Sequence, residues 1–428
     1  QLPEVSEEAV EFMTDLINFL ALNPELSVGG DIGQQEFNDL KDCYENNNNF
    51  VVCFELNPSL TIENCLGSSN GLNELSVLQK IMLANFINNN GCSEESRLRM
   101  LDFIEILEEV PNAKPQRYND LLDLLQENPW ALIQDCAEQN GINITNYQNL
   151  YNHTIPQACE DRLNILGPGY SNQPISAGNV PLANLDYYSV EITSYPDFDG
   201  DGFPDTEAEI YQAFREKFTD LASGEKDEFE SACNVPFDFD DVIDIWWEFN
   251  PLTQNDETLF LSINPISSIL LIDAGANNLF VNANADLGAI IVSDFTPNSW
   301  TISTIQTPNT ETQPFSGNRQ WGWIINQNGN LEFFTRAVDV ARVADVFLEF
   351  PATIFGSDIE CQQSTYYDIA EATWQNMQQE IADWINDDLS NGGQATINNP
   401  KAVRVDKEKI EEILTTDQSI DQILSNCN

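Results

Sequence analysis

From Leu259 onward the apolar residues cease to recur every three or four positions and gather instead in short runs between Gly, Asn and Pro turns, a pattern that confines this part of the chain to β-structure. The runs fall at 259–263, 269–274, 279–281, 289–292, 300–305, 321–325, 331–335 and 346–350. Spacing this close predicts an antiparallel meander. Between two of the runs, Asn326-Gln327-Asn328-Gly329-Asn330 predicts a hairpin, because Asn and Gly tolerate positive φ. The helical period returns over 366–389, where Ile369, Ala370, Trp374, Met377, Ile381 and Ile385 share one face suited to covering the sheet. The expected class is α+β.

The first part of the chain reads as helices at 7–22, 74–90, 93–107, 118–126 and 130–139, with Gly91 closing the second and Ser93 capping the third. Gly167-Pro168-Gly169, Pro174, Gly178 and Pro181 mark a linker. The expected organisation is a disulfide-stapled α-helical domain at 1–163, a linker at 164–185 and an α+β domain at 186–428. Within the last, 207–222 reads as a helix, and Asp238, Asp240, Asp241 and Asp244 read as a helix start, with paired-carboxylate catalysis or a second calcium site as alternatives.

The 70 Asp and Glu against 17 Lys and Arg give a formal charge of −53, which repels phosphate backbones and anionic membranes. Nucleic acid is therefore not an expected partner, and no stretch is apolar enough for membrane insertion. Nine cysteines lie at 43, 53, 65, 92, 136, 159, 233, 361 and 427 without zinc-site spacing, so disulfides in an oxidising, extracellular or cell-surface setting are expected. The odd count leaves one thiol free or paired with another chain. A chain starting at Gln1 is expected to follow removal of an export signal or a larger upstream segment. The single histidine, His153, is expected in a surface or capping role.

The run Asp197-Phe198-Asp199-Gly200-Asp201-Gly202-Phe203-Pro204-Asp205 places carboxylates at loop positions 1, 3, 5 and 9, a backbone carbonyl at Phe203 and a turn-permitting glycine at Gly202. Such a set suits Ca2+, a hard cation that takes oxygen ligands. Asp197, Asp199, Asp201, Phe203 and Asp205 are the expected ligands. Ala208 stands where an EF-hand carries its bidentate Glu, and the wording resembles the calcium loops of thrombospondin type 3 and dockerin-like segments.

A second segment, Ser316-Gly317-Asn318-Arg319-Gln320-Trp321-Gly322-Trp323, is followed by Leu331-Glu332-Phe333-Phe334-Thr335-Arg336-Ala337-Val338-Asp339. Together with Ala372-Thr373-Trp374-Gln375, Asn391-Gly392-Gly393 and Ile397-Asn398-Asn399-Pro400, it resembles the carboxy-terminal modules of secreted bacterial polymorphic-toxin or Rhs-associated proteins over about residues 255–415. Gln306 and Gln313 stand where that group shows His, and Ala337 and Val340 replace its Gly and Arg. The resemblance implies an effector-like module of an exported system. The residues themselves suit a non-catalytic surface or adhesion module that binds glycan or a protein partner, and a calcium-dependent hydrolase ranks third. Arg319, Trp321, Trp323, Arg336 and Asp339 are the candidate ligand-binding residues. The alternative for them is a structural ion pair in which Asp339 meets either arginine and Trp321 or Trp323 stacks on a guanidinium.

Overall fold

The computed structural model describes residues 61–62, 65–66, 75–175, 182–230, 242–277, 282–308, 315–341, 363–386 and 392–427. The expected helix at 7–22, the expected strand at 346–350, the acidic residues 238–241, Gln313 and Cys43, Cys53, Cys233 and Cys361 lie outside them. The described residues group into two compact units: those up to Glu127 with Lys407–Ile423, and Asn128–Asp406 with the chain from Leu424.

The first unit is helical, with α1 (Val77–Asn90), α2 (Glu94–Glu109) and α3 (Pro115–Glu127). Ser76 and Gln79 cap α1 reciprocally, Gly91 ends it at φ 78°, and the Ser93 hydroxyl accepts the Ser96 amide at the start of α2. Leu83, Met100, Phe103, Ile106 and Leu121 are fully enclosed. The segment 407–423 returns to α3, where the Arg117 guanidinium donates to the carbonyls of Ile413 and Gln418 at 2.9 and 2.8 Å. A disulfide joins Cys65 and Cys92.

The second unit holds an eleven-stranded sheet, with every pairing antiparallel among the described residues. Its strands are β1 (Ser171–Asn172), β2 (Leu182–Ser194), β3 (Gly224–Glu230), β4 (Val242–Pro251), β5 (Ile269–Asn277), β6 (Asn282–Thr296), β7 (Ser299–Gln306), β8 (Phe315–Ile325), β9 (Leu331–Ala341), β10 (Gln394–Ile397) and β11 (Lys401–Arg404). Strands β3 to β9 follow one another across the sheet; β2 then pairs with β9, and β10 and β11 pair with β2. The chain is thus mixed helix and antiparallel sheet. The hairpin at 326–330 forms with Gly329 at φ 82°.

Three expectations give way to different structure. Residues 259–260 end a helix, Gln254–Phe260, whose Thr253 cap and buried Asp256 outweigh the apolar run, and 261–263 turn away from it. Asp244 sits in β4, not at a helix start, because Ile245, Trp247 and Phe249 alternate into the core. Residues 182–185, expected as the end of the linker, instead begin the long strand β2.

The helix Gln363–Asn386 packs against β2 and β10 on one sheet face. There Trp300, Trp321, Phe214, Phe218, Phe333 and Met377 form the main apolar core, with the Trp300 and Trp321 rings stacked 5.7 Å apart. The other face receives helices from 148–166: Ile155, Cys159 and Leu163 pack on Ile269, Ala289, Ile291 and Ile305. Residues 148–163 fall in the expected domain at 1–163, whereas in the structure they group with the sheet unit. They are fastened by Asn318, whose amide donates to the carbonyls of Leu150 and His153, and by His153 itself, hydrogen-bonded to Ser293 at 2.8 Å. A disulfide joins Cys136 to Cys427, and Cys159 is a buried free thiol.

Candidate metal loop and sheet-face sites

After β2 the chain turns through the acidic loop. Gly200 and Gly202 adopt φ 71° and 92°, where a side chain would be strained, and their amides donate to Asp197. The turn folds Asp197, Asp199 and Asp205 inward, so that one carboxylate oxygen of each lies within 4.8 Å of the others. Asp205 is 6% exposed. Burial pushes its carboxyl up, the Phe198 amide opposes that, and Asp199, Glu209 and Asp197 add to it. A divalent cation would relieve this repulsion. Asp201 is not brought into the cluster; its carboxylate accepts the Phe203 amide, and the Phe203 side chain points to solvent. Phe198 stacks on Trp384 at 4.5 Å, linking the loop to the helix Gln363–Asn386.

Strand pairing decides what becomes of the two arginines. Arg319 is opposite Ala337 and Gln320 opposite Arg336, and since side chains alternate along a strand, Arg319 and Arg336 emerge on opposite faces. They therefore share no site.

On the helix-covered face, Arg319, Ala337 and Asp186 form one cross-strand row. The small Ala337 lets the Arg319 guanidinium cross it and meet the Asp186 carboxylate with both nitrogens, at 3.0 and 2.6 Å. Asp186 also accepts from Asn184 and from the Ala337 amide, and Arg319 donates to Thr335. The guanidinium lies 3.9 Å from the ring centroid of Trp374. The expected partners are thus replaced: the carboxylate is Asp186 rather than Asp339, and the stacked ring is Trp374 rather than Trp321 or Trp323. Trp321 is enclosed in the core and Trp323 packs at its margin.

Asp339 accepts from Asn184 beside this pair, and Gly317 opposite it leaves the needed room, since a Cβ there would lie 1.9 Å from its carboxylate. Asp186, Arg319, Asp339 and Trp374 help line a cavity of about 160 Å³. Burial pushes Asp339 up to about 6 against its ordinary 3.8, with Arg319 opposing and Asp186 assisting. Because the folded value is raised, ionising Asp339 costs stability as pH climbs from about 4 to about 6. Asp339→Asn is expected to match the wild type near pH 4 and exceed it by about 2–3 kcal/mol above pH 6, at 1.36 kcal/mol per pKa unit. Urea unfolding across that range checks this, and parallel profiles for the two proteins would refute it.

On the opposite face, Gln320, Arg336 and Tyr187 form a cross-strand row, of which Arg336 and Tyr187 help line a groove of about 700 Å³. Arg336 donates from two nitrogens to the neutral Gln320 amide and lies over Phe334 and Tyr147, at 5.3 and 5.8 Å from their centroids. Among the described residues it has no carboxylate partner. Tyr187 stacks on Phe334 at 5.7 Å and donates to Glu332.

Sequence reasoning passed over Asp186, Tyr187 and Tyr147. Tyr188, Val190 and Ile192 alternate as a strand should, but Asn184 and Asp186 continue the same inward face with polar groups and so conceal it.

No protein family matches this chain. No characterised protein and no solved structure matches it either. Among the described residues no helix is long and apolar enough to cross a membrane.

Proposed function

We propose that the chain is a secreted, calcium-stabilised module of a bacterial exported or cell-surface system, which binds a glycan or protein partner through its sheet unit. The proposed organisation is a helical amino-terminal domain followed by a meander covered by the long helix. The carrying observation is the convergence of Asp197, Asp199 and Asp205, each giving one carboxylate oxygen within 4.8 Å of the others. A flexible, all-oxygen donor set completed by carbonyls or water suits Ca2+ better than Mg2+, which demands a rigid octahedron. Binding is favoured over effector chemistry because Arg319, central to the polymorphic-toxin resemblance, is committed to Asp186 and Trp374 in the interior.

Calcium at about one hundred times its Kd should stabilise the fold by about 2.7 kcal/mol, and a chelator should lower the melting temperature accordingly. Trp384 fluorescence should change on titration through its stack with Phe198. Asp199→Asn should weaken binding, since it removes a converging charge. Identical melting with and without chelator, together with no metal in the native mass spectrum, would remove the reading.

A further inference from the structure

We propose that His153, the single histidine of the chain, is a latch that stays closed on acidification: its ring holds a proton on Nε2 in both charge states, a second proton enters at Nδ1, and the segment 148–166 keeps its hold on the sheet. A histidine at the joint between helices and a sheet ordinarily suits an acid-triggered release. The order of the hydrogen bonds around this one makes it the reverse.

That order follows from counting protons. On β8, the Asn318 amide nitrogen donates to the carbonyls of Leu150 and His153, at 2.9 and 3.3 Å, so its oxygen faces the other way and accepts. Ser303 on β7 lies 2.6 Å from that oxygen and spends its one hydroxyl proton on it. Ser293 on β6 lies 2.8 Å from the Ser303 oxygen, which has no proton left to give, so Ser293 is the donor of that pair. Donation to the Thr301 carbonyl, at 3.3 Å, would commit the same proton. Nothing then remains on Ser293 for the imidazole: the Nε2 atom, 2.8 Å from the Ser293 oxygen, brings the proton itself. Ser293, Ser303 and Asn318 are all buried, where a pair without a proton between them would be costly.

The Nδ1 atom has no hydrogen-bond partner among the described residues, so a second proton enters there without disturbing Nε2. Burial pushes the ring below its ordinary value and Asp294, also on β6, opposes that; among the described residues it is the charged group that bears on the ring. Protonated His153 still donates to Ser293, and more strongly, because a charged donor makes the better hydrogen bond. The relay also closes on itself, since the Asn318 amide that ends it returns to the His153 carbonyl. Side chain and backbone of one residue are thus gripped by β6 and β8 at the two ends of the relay. A latch built this way responds to loss of the Nε2 donor and not to charge.

The test is two-bond proton–nitrogen correlation NMR of the full chain, in which a single histidine leaves nothing to assign, joined to deuterium exchange over 148–166. Both run from about pH 8 to about pH 5, on either side of the ordinary histidine value. At the upper end the nitrogen coupled to both ring protons, Nε2, should carry the proton, and on acidification only Nδ1 should move toward the protonated range. His153→Gln, whose amide nitrogen reaches the place of Nε2 and does not titrate, should keep most of the protection and match the wild type in its response to pH once intrinsic exchange rates are corrected. His153→Asn, whose amide is too short, should lose protection severalfold across 148–166 at both ends of the range. An unprotonated Nε2 at the upper end, or protection that the wild type loses on acidification and His153→Gln retains, would overturn the proposal. So would equal protection in His153→Asn and the wild type, which would leave the ring no part in holding the segment.

Discussion

Arg319→Gln is expected to destabilise the second unit by about 3–5 kcal/mol, the usual cost of stripping one partner from a buried ion pair. The guanidinium and carboxylate sit at 2.6 Å with side chains only 9% and 4% exposed, so the carboxylate would be left largely desolvated without its partner. Glutamine keeps much of the aliphatic stem but cannot span Ala337 with two nitrogens, and Asp186 would retain only the Asn184 and Ala337 donors. The stack on Trp374 would be lost as well. Urea unfolding measures the loss. Adding Asp186→Asn to the same protein should restore part of the stability, because the stranded charge is then gone; a double-mutant cycle should show coupling of about 0.5–3 kcal/mol. Additive effects would mean that the two residues do not act as a pair.

Loss of the Cys136–Cys427 bridge is the second large effect. The cysteines are 291 residues apart, so the bridge closes a loop that contains the whole sheet. Loop-closure entropy grows with length, and removal of a native bridge costs about 2–5 kcal/mol. Because reductants would also open Cys65–Cys92, the test is Cys427→Ser, compared with wild type by denaturant midpoint under oxidising conditions. A fall in midpoint with the slope held is expected. An unchanged midpoint would show that Cys136 and Cys427 are not joined in solution.

Where local signals were strong, the structure agrees with them in detail. The hairpin at 326–330, the Ser93 cap, the Gly91 terminus, the run 300–305 and the helix centred on Trp374 all form where residue type and period placed them. Each depends on neighbours a few positions away, and short-range sterics and hydrogen bonding are written in adjacent residues. The turn of the acidic loop was legible for the same reason, although its backbone directs Asp201 to an amide instead of into the cluster.

The partnership of Arg319 was not legible, and neither was the separation of the arginines onto two faces. Asp186 lies 133 residues from Arg319, and the two are neighbours only because β2 adds to β9 after a long excursion through seven strands. A one-residue change of register between β8 and β9 would exchange every face assignment. The groove has the same origin, since Tyr147, Tyr187, Phe334 and Lys401 come from four separate elements. Sequence alone thus determined the class of secondary structure, the turns, the acidic loop and the acidic surface, all of which follow from composition and near neighbours. Which polar residues are buried together, and which face the groove, was decided by strand order and register, because those set the meetings between residues that the chain holds far apart.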